Sequence, residues 1–598
     1  MLNPKTQRVD YGLELRAPEG YELDSAIAAT YTLDLNALLT VPVALCFHDT
    51  LEGEIQGERL ALLEAIGQLK GRLRVFYQAG KIKHEGAYNR LFALLEPWLK
   101  PIVPSGGVNS SFHPKFWLLR YTAAKLPVRY RLIVLSRNLT FDRSWDLAVS
   151  LDGELGKRVA SAAHSGWCEF VGDLLSQAPE FAPGQTMAAE LAKIVWYGPK
   201  GMSNARLLAG GPEYGQPLDI PESNDSILVV SPFLKDSAGK VAALDWLADR
   251  ALPGQRWLFS RAEELDDIGE EKLQGWCCYA INTHVVDGEE RLELGSARHN
   301  LHAKLIVTQG KTCHWHLGSA NATAAALGRG EKDKPRNTEL MVRLAAKADR
   351  FGPSALMADW LDHDNELNGL FVKHQFTPQN YEESDGDKHT LRRLSHQLIK
   401  ANWVLQAAKD DGEPALYSLL LKVEGIPQTV EGFAIDVSLL SAPGLHHPLD
   451  DSVHWDRVNI NQISAFLRIT ITAESSGKAE HLVLQAALTL PKGTDRERRM
   501  IEQLVDSEDK FLNYIRLLLQ SRPDKNGGAS SGGAGGQQKG LTALFGESPI
   551  FEQLMNAAAR DSGAIERIQK MVDRLEGTAV PIPKSFATLW SHFSSTKK

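Results

Sequence analysis

One pattern of polar residues occurs twice in this chain and constrains its fold more than any other feature. "SSFHPKFWLL" carries His113 and Lys115, and "NLHAKLIVTQG" carries His302 and Lys304 at the same spacing. Each pair opens an apolar, β-rich run. "LIVLSRNLTFDRSWDLAVSL" follows the first and "WHLGSANATAAALGRGEKDKPRNTELMVRL" the second. In order the two sets are His113, Lys115, Ser136, Asn138 and Asp146, then His302, Lys304, Ser319, Asn321 and Glu339. A lone HxK at a strand start is ordinary surface chemistry, but five matched positions in the same order are not. Residues i and i+2 of a strand share a face, so each His and its Lys are expected side by side.

The repeat extends upstream. "VPVALCFHD" and "SILVVSPFLKD" each read as a buried strand, and "LRVFYQAG" and "RWLFSRAEE" each as the next strand. From Ala44 to His113 is 69 residues and from Leu228 to His302 is 74. Two α/β units of similar layout follow, which is duplication of domains and not of motifs alone.

HxK followed by a Ser-x-Asn turn, twice in one chain, resembles the phospholipase D superfamily over about residues 25 to 350. The usual family motif has an Asp five residues after the Lys, where this chain has Arg120 and Gln309. That departure looks like the tyrosyl-DNA phosphodiesterase and bacterial phospholipase D-like nuclease branch. The resemblance implies two α/β halves related by a pseudo-twofold axis, with one active site between them. It implies that one His forms a covalent phosphohistidine, and that the other protonates the leaving group and then activates water. Carried onto this sequence, His113 is the nucleophile and His302 the general acid/base. Lys115, Lys304, Asn138 and Asn321 would hold phosphate oxygens. Asp146 and Glu339 would orient the imidazoles, each serving the opposite half's His. Sequence alone does not order the two histidines.

The residues themselves agree with such chemistry. Cleaving a phosphodiester takes a nucleophile, a proton donor and cations for the phosphoryl oxygens, and two His with two Lys supply all three without a metal or other cofactor. "CHWH" brings Cys313, His314 and His316 together, but structural zinc sites need four ligands, so no metal site is assigned. Asn138 and Asp146 are eight residues apart and Asn321 and Glu339 eighteen, so "AAALGRGEKDKPRNT" is a longer loop suited to lining a substrate channel.

Charge bears on the substrate. The formal net charge is −8, yet residues 113–143 hold seven Lys or Arg against one acid, and residues 298–343 hold eight against three. Both motif regions are basic islands, as expected of a surface facing a phosphodiester. Arg137 and Arg329 are candidate backbone contacts, Ser136 and Ser319 candidate phosphate contacts, and Phe112 and Trp145 candidate base-stacking rings. Nucleic acid, DNA in particular, is the first substrate class. A phospholipase or phosphatidyl transferase is second, because no lid or membrane-binding helix is evident. A binding module without turnover is third, since it has no use for ten retained polar positions.

A chain of 598 residues with 43% hydrophobic and 23% charged residues holds several ordinary globular domains. It contains no apolar run of membrane-spanning length, and "MLNPKTQRVDYG" lacks a signal-peptide core. Five cysteines, none in CxxC spacing, fit reduced thiols and a cytoplasmic setting. The expected divisions are residues 1–205 and 206–385 for the two halves and 386–522 for a β-rich accessory domain ending in a helix. Residues 523–540 read as a flexible Gly/Ser linker and 541–598 as a helical segment. In that segment Ile565, Ile568, Val572 and Leu575 recur at helical spacing and would dock on the body or on a protein partner. By analogy only, the layout suits an element of a bacterial DNA-processing or phage-defence machine.

Overall fold

A computed structural model describes residues 9, 11–46, 59–141, 144–159, 164–236, 239–282, 301–328, 333–361, 369–377, 386–410, 413, 415–427 and 430–505, together with 507–508, 511–512, 515, 554, 568–569, 571–573, 575 and 580–595. Two mixed sheets dominate it. The first uses β1 (Glu22–Thr30), β2 (Leu73–Gln78), β3 (Leu99–Ile102), β4 (Phe116–Thr122), β5 (Arg129–Leu135), β6 (Ala148–Leu155) and β7 (Ile194–Tyr197). The second uses β8 (Met202–Gly210), β9 (Ser226–Val230), β10 (Arg256–Ser260), β11 (Cys277–Ile281), β12 (Leu305–Gln309), β13 (Cys313–Gly318), β14 (Glu339–Ala346) and β15 (Phe371–Lys373).

Their strand orders are β3-β2-β1-β4-β5-β6-β7 and β15-β11-β10-β9-β12-β13-β14-β8. In each, three parallel strands lead to an antiparallel partner that directly follows the HxK, and two further antiparallel strands complete the match. "LRVFYQ" and "SILVV" are buried at every position, as parallel strands covered on both faces require.

One upstream expectation is corrected. Residues 41–46 of "VPVALCFHD" close a helix, Leu35–Cys46, and residues 47–49 lie outside the described residues. The strand equivalent to Ser226–Val230 is instead Glu22–Thr30, so the matching 69- and 74-residue intervals did not mark equivalent points. A short apolar run does not by itself distinguish strand from buried helix. The alanines of "SAIAAT" conceal a strand whose last six residues are all buried.

The inner faces of the two sheets share one core. Phe116, Leu118 and Leu132 of the first pack with Leu305, Trp315 and Val342 of the second, and Trp167 and Trp360 are buried in the same core. The outer face of the first sheet is covered by helices Leu35–Cys46 and Arg59–Gln68, and that of the second by Ala242–Ala248 and Ala262–Ile268.

Helix Gly386–Lys400 precedes two four-stranded antiparallel-rich sheets. One contains Leu416–Glu424 and the other Phe433–Leu439, Phe466–Ala473 and Ala479–Gln485. Strands Asn402–Lys409, Ala442–Pro448 and Ser452–Asn459 were not anticipated. Pro443, Gly444 and Pro448 make the second of these read as a turn, but it is an edge strand, where proline is tolerated. This unit sits on the first half: Arg496 grips the buried Glu96 carboxylate at 2.6 and 3.1 Å, and the Ala465 amide donates to the same group at 2.8 Å. Near the C-terminus Ile568, Met571, Leu575, Phe586 and Trp590 are buried in the same core as Leu62 and Ile66. The described residues of the apolar stripe therefore pack on their own chain; Ile565 lies outside the described residues.

Candidate active site

Each HxK sits in the extended lead-in to its strand and not within it: Phe116 and Leu305 are the first strand residues. Both lysines fold back, Lys115 Nζ donating to the His113 carbonyl at 2.7 Å and Lys304 Nζ to that of His302 at 2.5 Å. Both are almost fully buried.

Two isolated bridges place the histidines. Phe112 pairs with Thr338, the residue before Glu339, and Leu301 pairs with Trp145, the residue before Asp146. The His113 amide donates to the Thr338 carbonyl at 2.9 Å, and that of His302 to the Trp145 carbonyl at 3.0 Å. Each HxK is thus stitched to the residue that precedes the other half's acid. The side chains cross accordingly, His113 Nδ1 lying 2.9 Å from Glu339 Oε2 and His302 Nδ1 3.0 Å from Asp146 Oδ1. With Nδ1–H donated to a carboxylate, Nε2 keeps the lone pair for a reacting group.

The Ser-x-Asn turns repeat at atomic level. The Ser136 amide donates to Leu147 O at 2.9 Å, and that of Ser319 to Leu340 O at 3.0 Å. Thr140 N bonds Asn138 O, and Thr323 N bonds Asn321 O, at 3.0 and 2.8 Å. Ser136 Oγ donates to Asp146 Oδ1 at 2.9 Å, and Ser319 Oγ to Glu339 Oε2 at 2.5 Å. Both serines are buried, so the expectation that they touch substrate is corrected: their hydroxyls are spent fixing the two acids.

Electrostatics tie the halves together. Burial pushes His113 down to about 4, with Glu339 opposing and Lys115 and Lys304 adding to the shift. Burial also lowers His302, helped by Lys304 and resisted by Asp146. Lys115 is held well below its usual range, first by burial, while Glu339, Lys304 and Asp146 all act on it. Charges from both motifs therefore occupy one low-dielectric cluster. Asn321 Oδ1 is buried and has no partner among the described residues. Asn138 Oδ1 accepts weakly from Thr32 N at 3.4 Å.

The other candidates separate. Phe112 and Trp145 are 2% and 6% exposed, packed against Phe170 and against Trp360 and Phe371. Neither offers a face to a base; both form the bridges themselves and are buried in the joint. Arg137 is held by Thr140 O at 2.8 Å and shares a cavity wall with Lys115. Arg329 lies outside the described residues. The basic islands are weaker than their counts imply, because Arg120 pairs with Asp24 and Glu190, Arg131 with Asp152, and Arg343 with Asp219. In "CHWH", His316 bonds Asp219 while Cys313 Sγ bonds Phe351 O, so these side chains serve different neighbours.

Sequence reasoning passed over three residues here. Tyr31 meets the His113 ring edge-on at 5.2 Å, with its own ring 5.8 Å from Lys115 Nζ; an aromatic just past the end of a central strand was the available signal. Asn337 donates to Glu339 Oε1 at 3.2 Å and accepts from Ser111 N at 3.0 Å. Gln78 Oε1 accepts from Phe112 N at 2.8 Å.

No family model and no curated protein matches the sequence. Among solved structures, yeast tyrosyl-DNA phosphodiesterase and a mutant of it are similar at 12% and 11% identity, both with a TM-score of 0.34. Each likeness covers 56% of this chain, and 87% and 84% of the respective other chain. Similarity that low decides neither fold nor activity.

Proposed function

We propose that this chain is a metal-independent phosphodiesterase acting on nucleic acid through a covalent phosphohistidine, with its two halves closing on one site about a pseudo-twofold axis. The observation that supports it is the crossed pairing of His113 with Glu339 and His302 with Asp146. An imidazole whose Nδ1–H is held by a buried carboxylate is oriented, fixed in tautomer and stabilised when it gains charge.

In this reading His113 Nε2 attacks phosphorus as the bond to the leaving oxygen breaks, and protonated His302 donates its Nε2 proton to that oxygen. Neutral His302 then takes a proton from water, whose oxygen attacks phosphorus and releases His113. Low-lying His113 supplies the neutral imidazole that attack needs. His302 must enter protonated; burial first and Lys304 second hold its proton affinity down, and an arriving phosphate anion offsets the Lys304 part. Lys115, Lys304, Asn138 and Asn321 hold the phosphoryl oxygens. Two imidazoles and two ammoniums carry every proton and charge the reaction moves, so a divalent ion has no step to perform.

The reading is tested by incubating the protein with end-labelled single- and double-stranded DNA, RNA and a phospholipid, with and without EDTA. Cleavage of a nucleic acid that survives EDTA and vanishes in His113→Ala supports it. Cleavage of phospholipid alone, or a strict requirement for a divalent metal, overturns it.

A further inference from the structure

A cavity of about 200 Å³ lies beside the proposed phosphate contacts, and its described lining residues all belong to the first half. One wall is helix Leu35–Cys46, through Ala37, Thr40 and Val41; the opposite wall is sheet, through Trp117 and Leu135. Tyr11 closes one side, and the turn after β5, with Leu139 and Phe141, closes another. Phe141 is 61% exposed, which puts the opening at that turn. Two cations enter the lining, Lys115 and Arg137, along with the amide of Asn138. Lys115 and Asn138 are thus common to the cavity and to the proposed phosphate contacts.

An apolar, partly aromatic chamber with cations at one end takes a planar uncharged group attached to an anion. Its size admits one such group. At about 200 Å³ it falls below the roughly 300–1,000 Å³ of sites that swallow a drug-sized ligand, so a pair of acyl chains does not fit. Which part of the substrate it receives follows from the displacement. In-line attack by His113 sends the leaving oxygen to the far side of phosphorus, beside His302. Among the described residues, none from the second half lines the cavity, so it faces the group that stays on phosphorus.

Resting on the phosphodiesterase reading above, we propose that this cavity is a base subsite: it binds the nucleobase of the nucleotide retained on His113 in the covalent intermediate. The aromatic contact that sequence reasoning sought at Phe112 and Trp145 then falls to Phe141 and Tyr11. Arg137 belongs to this subsite as one of the two cations in its lining.

The test compares p-nitrophenyl phosphodiesters with one leaving group and different retained groups: thymidine, esterified at its 3′ or 5′ oxygen, and abasic deoxyribose. The better thymidine ester should exceed the abasic ester at least tenfold in kcat/KM. Thr40→Trp, which fills the chamber from a half-exposed helix position, should bring that ratio close to one. Phe141→Ala should lower it severalfold, mainly through KM, and decides the matter if Thr40→Trp does not fold. A ratio near one in the wild type, or a ratio unchanged in both variants, overturns the subsite while leaving the phosphodiesterase intact. Failure of the wild type to cleave any of the esters or any nucleic acid sinks the parent reading and the subsite with it.

Discussion

The two acids should fail differently when neutralised, because their hydrogen-bond surroundings differ. Glu339 is fully buried and takes three donors: His113 Nδ1, Ser319 Oγ and Asn337 Nδ2. Glu339→Gln keeps one acceptor oxygen. If it serves His113 and Ser319, the new amide points its N–H bonds at Asn337 Nδ2, and Asn337 cannot flip because its Oδ1 already holds the Ser111 amide. One buried donor is left unpaired, at about 1–3 kcal/mol of folding stability. Asp146 instead spends only Oδ1, on His302 and Ser136, and its Oδ2 has no partner. Asp146→Asn drops its amide into that vacancy without opposing a donor, so it should cost less stability than Glu339→Gln.

Both variants lose a full charge about 3 Å from an imidazole. At an effective dielectric near 20 such a contact is worth at most about 5.5 kcal/mol. With partial compensation by the retained hydrogen bond, a rate loss of roughly 10²–10³ is expected at 1.36 kcal/mol per decade. The step that slows should differ: adduct formation in Glu339→Gln, adduct decay in Asp146→Asn. Urea unfolding and single-turnover kinetics with a labelled diester measure both quantities. Equal stability losses, or either variant turning over at the wild-type rate, would refute the crossed-pair reasoning.

Three other outcomes follow from the same geometry. His113 falls from 6.5 to about 4, so the acid limb of kcat/KM should lie near pH 4, and an acid limb near 6.5 would contradict the burial argument. The unfolded chain binds the extra proton between those values, so this histidine's contribution to stability is intact above pH 6.5 and is lost as pH falls toward 4; His113→Gln should flatten that part of a Tm–pH curve. Arg496→Met strands the buried Glu96 carboxylate and should cost roughly 3 kcal/mol in urea unfolding, whereas a loss under about 1 kcal/mol would mean the pair does not hold the C-terminal sheets to the first half. Arg137→Ala should weaken DNA binding and flatten its salt dependence by about one counterion, and an unchanged slope would place the backbone elsewhere.

The polar residues of the candidate site were legible in the sequence and much of the scaffold was not. Five ordered polar positions in duplicate are conspicuous because polar residues in apolar runs need a reason, and all ten fall where the two halves meet or in the turns beside them. What sequence could not supply was partnership across the joint. Ser136 and Ser319 read as substrate contacts because nothing local says that a hydroxyl ten or twenty residues before an acid will close onto it. Phe112 and Trp145 read as stacking rings because burial is a tertiary outcome, and each forms one of the bridges, Phe112–Thr338 and Trp145–Leu301. The basic islands were overcounted because cross-strand partners such as Asp152 opposite Arg131 lie outside the windows counted. The strand at Glu22–Thr30 was missed since Ser and Ala suit a strand packed on both faces but carry little propensity for one.

The central claim is that His113 becomes covalently phosphorylated, and trapping the adduct tests it most directly. A diester with a good leaving group is mixed with wild type, His113→Ala and His302→Asn. Each reaction is quenched in alkali, where phosphohistidine survives, and the modified peptide is identified by mass spectrometry. A phosphoryl adduct on His113 that builds up in His302→Asn and is absent from His113→Ala is the predicted result. Turnover by the wild type with no adduct on any histidine in any of the three proteins would contradict the mechanism.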